Sequence, residues 1–307
     1  MSIIFMGTPD FAVASLKALL DAGENVIAVV TATDKPAGRG QRLQQSAVKR
    51  YAMEQGLPVM QPRNLKDPEF LRELKSYGAE LQVVVAFRML PEAVWNMPEK
   101  GTINLHASLL PQYRGAAPIN HAIINGEKES GVTTFLLQHE IDTGNILFSE
   151  KVYIASDATA GDLHDDLMNV GATLLVKTVQ ALKKGGAIEK PQRAEPNTLK
   201  PAPKIHKEDC KIDWSQSVEN VYNFIRGLSP YPTAYTYLQG KMLKIFQAKP
   251  IYETPHIPVG DFTSDGKHFL HFACKDGYIA VETLQIEGKK RMGTADFLRG
   301  YAINSIN

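Results

Sequence analysis

The chain has 307 residues, 34 Lys plus Arg against 33 Asp plus Glu, and a formal net charge of +1. With 44% hydrophobic residues it can bury two ordinary cores without disulfide or metal support, and this composition excludes collagen, coiled-coil and disordered classes. No apolar run approaches the roughly 18 residues of a membrane helix, MSIIFMGTPDF lacks the regions of a secretory signal, and Cys210 and Cys274 make no disulfide framework, so the expected compartment is the reducing cytoplasm.

Residues 2–6 (SIIFM) predict a buried strand, and Thr8-Pro9 predicts a helix start, with Thr capping and Pro in the first turn. Phe11, Leu16, Leu19 and Leu20 then share one helical face, which Gly23 ends. Residues 26–31, 81–87 (LQVVVAF) and 102–105 predict further strands; the second is apolar without alternation, as strands covered on both faces are. Thr159-x-x-Asp162 reads as a capping box opening a long helix along Leu163, Leu167, Val170, Leu174 and Leu182, closed by Gly185-Gly186. This alternation predicts an α/β fold with a doubly wound, mostly parallel sheet. Four prolines between 191 and 203 read as a linker. Beyond it, Ser217 can cap a helix, and AYTYL-Gln239-Gly240-KMLKIF and HFLHFAC-KDG-YIAVETL read as hairpins of a small antiparallel barrel or sandwich. The expected boundaries are 1–190, 191–205 and 206–307.

The first strand is followed by GTPDFA, which lacks the G-x-G-x-x-G of a dinucleotide site, and no phosphate-binding G-x-x-x-x-G-K-[ST] occurs. The richest stretch is TINLHASLLPQYRGAAPINHAIIN. Asn104 and His106, two apart at the carboxyl end of a strand, share a face where ligands of doubly wound sheets bind. A neutral amide donor beside a titratable ring suits a reaction in which an oxyanion develops and a proton moves; a structural histidine is the equal alternative. Asp142 in the single Asp-Thr-Gly segment is a third candidate, against the alternative of a loop Asp satisfying backbone N–H groups. No Cys/His cluster has zinc spacing. Tyr231, Tyr235 and Tyr237 can stack bases or pack a core. From Lys35 to Met53 there are five basic residues and no acidic one; taken alone, this run reads as solvated surface.

GTPDFA, KPAGRG, INLHASLLPQYRGAAPI, IDTGNIL, PKI-x-KEDCKIDW, IRGLSPYP and EGKKRM, in that order, resemble the 10-formyltetrahydrofolate-dependent formyltransferases essentially end to end. The N-x-H-x-S-L-L-P-x-Y/W-R-G core with a downstream D-x-G is shared across that family, whereas KPAGRG and the carboxyl-terminal motifs resemble its methionyl-tRNA branch. The resemblance implies a Rossmann-like domain followed by an OB-like antiparallel β-barrel. It implies formyl transfer from 10-formyltetrahydrofolate to the α-amino group of methionyl initiator tRNA, without a metal, by a cytoplasmic monomer with no membrane partner. Asn104, His106 and Asp142 match the catalytic trio, and Ser108, Leu109, Leu110 and Pro111 match the segment bordering the folate. Lys35, Arg39 and Arg42 match the loop that approaches the tRNA acceptor end, and the barrel is expected to hold the tRNA.

Three positions depart from the pattern: Tyr113 for Trp, Ala234-Tyr235 for Ala-Trp, and Phe87-Arg88-Met89 for a stretch containing Tyr-Gly. The third is expected near the folate cleft. Two rivals are a formyltransferase acting on a nucleotide sugar or purine precursor, and a non-catalytic RNA-binding protein on the same scaffold. KPAGRG and residues 206–307 count against the first, the intact trio against the second.

Overall fold

The computed structural model describes residues 1–37, 42–193, 198–301 and 303. Two compact units emerge: Met1–Gly115, Gly131–Val152 and His164–Pro201 form the first, and Ala116–Ser130, Tyr153–Leu163 and Ala202–Asn307 the second.

In chain order the first half contains β1 (Ser2–Gly7), α1 (Asp10–Asp21), β2 (Asn25–Val30), β3 (Lys35–Ala37), β4 (Arg42–Gln44), α2 (Ala47–Glu54), β5 (Val59–Met60), α3 (Pro68–Ser76), β6 (Leu81–Val85), α4 (Glu92–Trp95) and β7 (Thr102–His106). It continues through α5 (Pro118–Ile124), β8 (Glu129–Leu136), β9 (Ile146–Tyr153) and α6 (Ala160–Lys183). The seven-stranded sheet has the order β5-β2-β1-β6-β7-β8-β9. β5 through β7 of that order run parallel, and β8 joins β7 antiparallel. Ile3, Ile4, Phe5 and Met6 are all fully buried, so both sheet faces are covered as the unbroken apolar runs require. Because β2 and β5 extend the sheet to one side of β1 while β6 and β7 extend it to the other, the strand order reverses between β1 and β6. A ligand crevice opens at the carboxyl ends of such a pair.

The expected start of α1 moves by one residue. Pro9 is extended (ψ 178°) and stands outside the helix, Thr8 does not cap it, and Asp10 supplies a negative charge to the first turn. β6 ends at Val85, two residues before the apolar run does, because Ala86 turns the chain with φ +46°. The capping box forms as read: Thr159 N–H donates to Asp162 Oδ2 at 2.8 Å and Asp162 N–H to Thr159 Oγ1 at 3.2 Å.

The second unit is built on α7 (Val218–Gly227), β10 (Ala234–Leu238), β11 (Lys241–Ile251), β12 (Phe262–Ser264), β13 (Leu270–Ala273), β14 (Tyr278–Ile286), β15 (Met292–Gly293) and α8 (Thr294–Gly300). Its antiparallel order is β10-β11-β14-β13-β12, with β15 on β14. Among the described residues no pairing joins β10 to β12, so the expected barrel is a curled, open half-barrel. Gln239 (φ +49°) and Gly240 (φ +78°) make the tight hairpin turn read from sequence. Trp214 stacks on Phe272 at 4.7 Å inside the core and donates to Thr236 Oγ1 at 3.0 Å. Asn120 of α5 donates to the Gly227 carbonyl at 2.8 Å, and a Cβ at Gly227 would lie 2.6 Å from Ile124 Cγ1.

The division departs from the expected boundaries. Gln112 Nε2 donates to Thr198 O (3.0 Å), Lys200 N–H to Gln112 Oε1 (2.9 Å) and Tyr113 N–H to Lys200 O (2.7 Å), so the proline-rich segment belongs to the first unit as far as Pro201.

Candidate active site

Asn104 and His106 lie on β7 with their side chains on one face, and His106 is the last residue of the strand. Asn104 is half-buried, and its side-chain amide has no hydrogen-bond partner among the described residues. His106 is 7% exposed. Its Nε2 lies 2.9 Å from the Tyr113 carbonyl oxygen. A carbonyl can only accept, so Nε2 carries a proton and donates, which leaves Nδ1 as the one ring nitrogen able to accept a proton. Nδ1 faces Asp142 Oδ2 at 3.9 Å, a gap too long for a direct hydrogen bond and suited to a bridging donor.

Asp142 occupies the loop between β8 and β9 in the left-handed region, φ +55°, which Asp tolerates better than most residues. Three contacts fix it. Oδ2 accepts from Gly115 N–H at 3.0 Å, and Gln192 Nε2 donates to the carbonyls of Asp142 (2.9 Å) and Gly144 (2.8 Å). Arg114 in turn donates Nε and Nη2 to Gln192 Oε1, at 3.1 and 2.6 Å. Sequence reading missed Gln192, which lies in the supposed linker; its one signal is an amide side chain in a stretch otherwise built of prolines and charges.

Ser108 is fully buried, its hydroxyl donating to Gln112 O at 2.6 Å, while its carbonyl accepts from Thr133 Oγ1 at 2.7 Å. Leu110 is buried too, its N–H donating to Thr133 Oγ1 at 3.2 Å. Leu109 and Pro111 remain partly exposed. The turn therefore presents two apolar side chains and hides the other two residues of the segment.

Lys35 is exposed on β3, and Arg42 pairs with Ala37 in the two-stranded β3–β4 ribbon; Arg39 lies outside the described residues. At the base of this ribbon Lys49 Nζ donates to Asp34 at 2.7 Å, and Gln61 Nε2 donates to the same carboxylate at 2.8 Å. These bonds, Lys49 first, hold Asp34 below the usual carboxylate range. Lys49 is thus neutralised locally. Of the three tyrosines, Tyr235 is buried, whereas Tyr237 and Tyr231 are 50% and 82% exposed. Among the described residues no group of three His, Cys, Asp or Glu side chains could hold a metal ion, and no helix is long and apolar enough to cross a membrane.

A family model described as formyl transferase matches residues 1–179, and one described as formyl transferase, C-terminal domain, matches residues 204–302. The chain belongs to the formyl transferase family. Within it, the chain is similar to the methionyl-tRNA formyltransferases of Parabacteroides distasonis (54% identity, 98% of this chain and 96% of that one) and Bacteroides thetaiotaomicron (51%, 99% and 97%). Solved structures share the fold at lower identity. HypX from Aquifex aeolicus, in complex with tetrahydrofolic acid, gives a TM-score of 0.67 at 18% identity, covering 99% of this chain and 48% of that one. An N-formyltransferase from Helicobacter canadensis, in complex with folinic acid and dTDP-3-aminofucose, gives 0.67 at 21%, covering 91% and 98%.

Proposed function

We propose that this protein transfers the formyl group of 10-formyltetrahydrofolate to the α-amino group of methionyl initiator tRNA. The observation that carries the chemistry is an Asn104 amide with no partner among the described residues, beside a His106 ring whose Nδ1 faces Asp142. The amine attacks the formyl carbon, and Asn104 donates to the oxygen as it becomes negative, worth about 3 kcal/mol for one well-placed donor. Nδ1 of His106 takes the proton lost by the amine. The imidazolium so formed is held between the Tyr113 carbonyl and the Asp142 carboxylate. It then returns the proton to N10 of the folate as the C–N bond breaks, leaving formyl-methionyl-tRNA and tetrahydrofolate. Leu109 and Pro111 offer apolar surface to the flat rings of the donor. Lys35, Arg39 and Arg42 meet the acceptor phosphates, the half-barrel holds the tRNA, and the protein works as a cytoplasmic monomer.

The test supplies 10-formyltetrahydrofolate and methionine-charged initiator tRNA to the parent and to His106→Ala. Formyl-methionyl-tRNA from the parent, largely lost in the variant, supports both function and site. Tetrahydrofolate binding without product would redirect the reading to a small amine acceptor such as an amino sugar nucleotide.

A further inference from the structure

The loop after β6 carries Phe87-Arg88-Met89, and Arg88 there makes contacts that the proposed chemistry does not use. Ala86 turns the chain out of the strand with φ +46°. Leu90 is buried in the apolar cluster with Met60, Leu65 and Val94, and Phe87 packs against the same cluster. Between them Met89 is 75% exposed. Arg88 folds back over the Phe87 ring, its Cζ 5.5 Å from the centroid. It donates Nη1 to the Arg63 carbonyl at 2.9 Å and Nη2 to the Pro62 carbonyl.

Those two carbonyls lie just beyond β5, on the far side of β1 and β2 from β6. One side chain therefore ties together the carboxyl-end loops of two strands that are not neighbours, across the point where the strand order reverses. Gln61, next in sequence to Pro62, continues the tie by donating to Ala32 O at 2.7 Å beyond β2. β6 also pairs directly with β7, Val84 beside Asn104 and Val85 beside Leu105, so the loop that Arg88 restrains borders the Asn104–His106 face. A planar guanidinium with several fixed N–H donors can hold two successive carbonyls at once; a lysine ammonium holds one with less orientation.

We infer that Arg88 is a positioning residue for the formyl donor: it fixes the 86–90 loop as a wall of the cleft that receives the folate. The inference rests on the functional reading above and adds to it a residue outside the catalytic trio and outside the Ser108–Pro111 turn. With the loop untied, the donor must order it on binding, so the cost falls on donor affinity, and acceptor affinity is spared.

The test measures tetrahydrofolate binding by titration calorimetry to the parent, Arg88→Ala and Arg88→Lys, beside steady-state kinetics with both substrates. Arg88→Ala should weaken tetrahydrofolate about tenfold and raise the KM for 10-formyltetrahydrofolate to match. The KM for methionyl-tRNA and the thermal midpoint should stay near the parent's, while amide exchange in 86–90 quickens. Arg88→Lys should recover part of the affinity. Unchanged folate affinity in Arg88→Ala, with the parent binding folate normally, would overturn this inference and leave the function standing. Equal losses for both substrates with a lowered midpoint would overturn it as well, by reducing Arg88 to a stabilising contact. A parent that binds no tetrahydrofolate would remove the functional reading and this inference together.

Discussion

Asn104 and Asp142 make separable predictions because their surroundings differ. The Asn104 side chain has no hydrogen-bond partner among the described residues, so Asn104→Ala should leave the thermal midpoint unchanged while kcat falls about 10²–10³-fold, the usual cost of one oxyanion donor. A kcat within threefold of the parent's would take Asn104 out of the mechanism. Asp142→Asn keeps an oxygen to accept from Gly115 N–H, so the loop should hold, yet the charge facing His106 Nδ1 disappears. Steeply slowed turnover with retained folate binding is expected, and near-normal turnover would exclude a role for that charge. Of the proposed site, the three side chains were legible as candidates, because the proposed chemistry asks for those types at the end of a strand and in the loop beyond. Its supports were not. Tyr113 acts through a backbone carbonyl, which any residue carries, and Gln192 reaches Asp142 from 50 positions away.

Periodicity and turn residues located β1, β2, β6, β7, α6, α7 and both hairpins, since each signal is local. β5, with two residues, is too short to show a period, and the antiparallel run of β8 depends on its partner, not its own residues. At Gly144 the reason for glycine is tertiary: a Cβ there would fall 1.6 Å from the Leu136 carbonyl oxygen. Gly144→Ala should therefore push the 140–144 loop off β8 and depress kcat through Asp142, with folate affinity changed less. Equal kcat in parent and variant would show that the loop yields without moving the carboxylate. A second element predicts a pH effect. The backbone N–H of His268, chiefly, together with those of Lys267 and Phe269 and the His268 ring, holds the Asp265 carboxyl far below the usual range. A carboxyl depressed in the folded state adds stability that is complete above its unfolded pKa of about 4 and fades as pH falls below it. Asp265→Asn should lower the thermal midpoint at pH 7 and by progressively less as pH falls below about 4 toward the much lower folded-state value; a difference that stays constant from pH 7 down to about pH 2 would contradict this origin.

For the molecule as a whole, the net charge of +1 gives no general attraction to RNA, so tRNA affinity must come from local groups. The KM for methionyl-tRNA should climb with salt as displaced counterions are restored, whereas the KM for the folate should barely respond. Parallel rises for both substrates would point to salt acting on the fold. The two-unit division was only half legible: the change of texture near residue 200 is visible, but nothing local in 116–130 or 153–163 announces that these segments join the later unit.

That division bears on how the chain is made. α5 is the first finished piece of the second unit, and its seats are Gly227 at the end of α7, where Asn120 bonds and Ile124 packs. Roughly a hundred residues separate the two, which at ordinary synthesis rates of about 5–20 residues per second leaves α5 waiting on the order of 5–20 s. During that interval it hangs as an excursion from a first unit that is itself incomplete until Pro201 emerges. Neither half can be sealed in the order it is spelled, and a nascent chain arrested before residue 227 should expose Ile124 to any holdase at the tunnel exit.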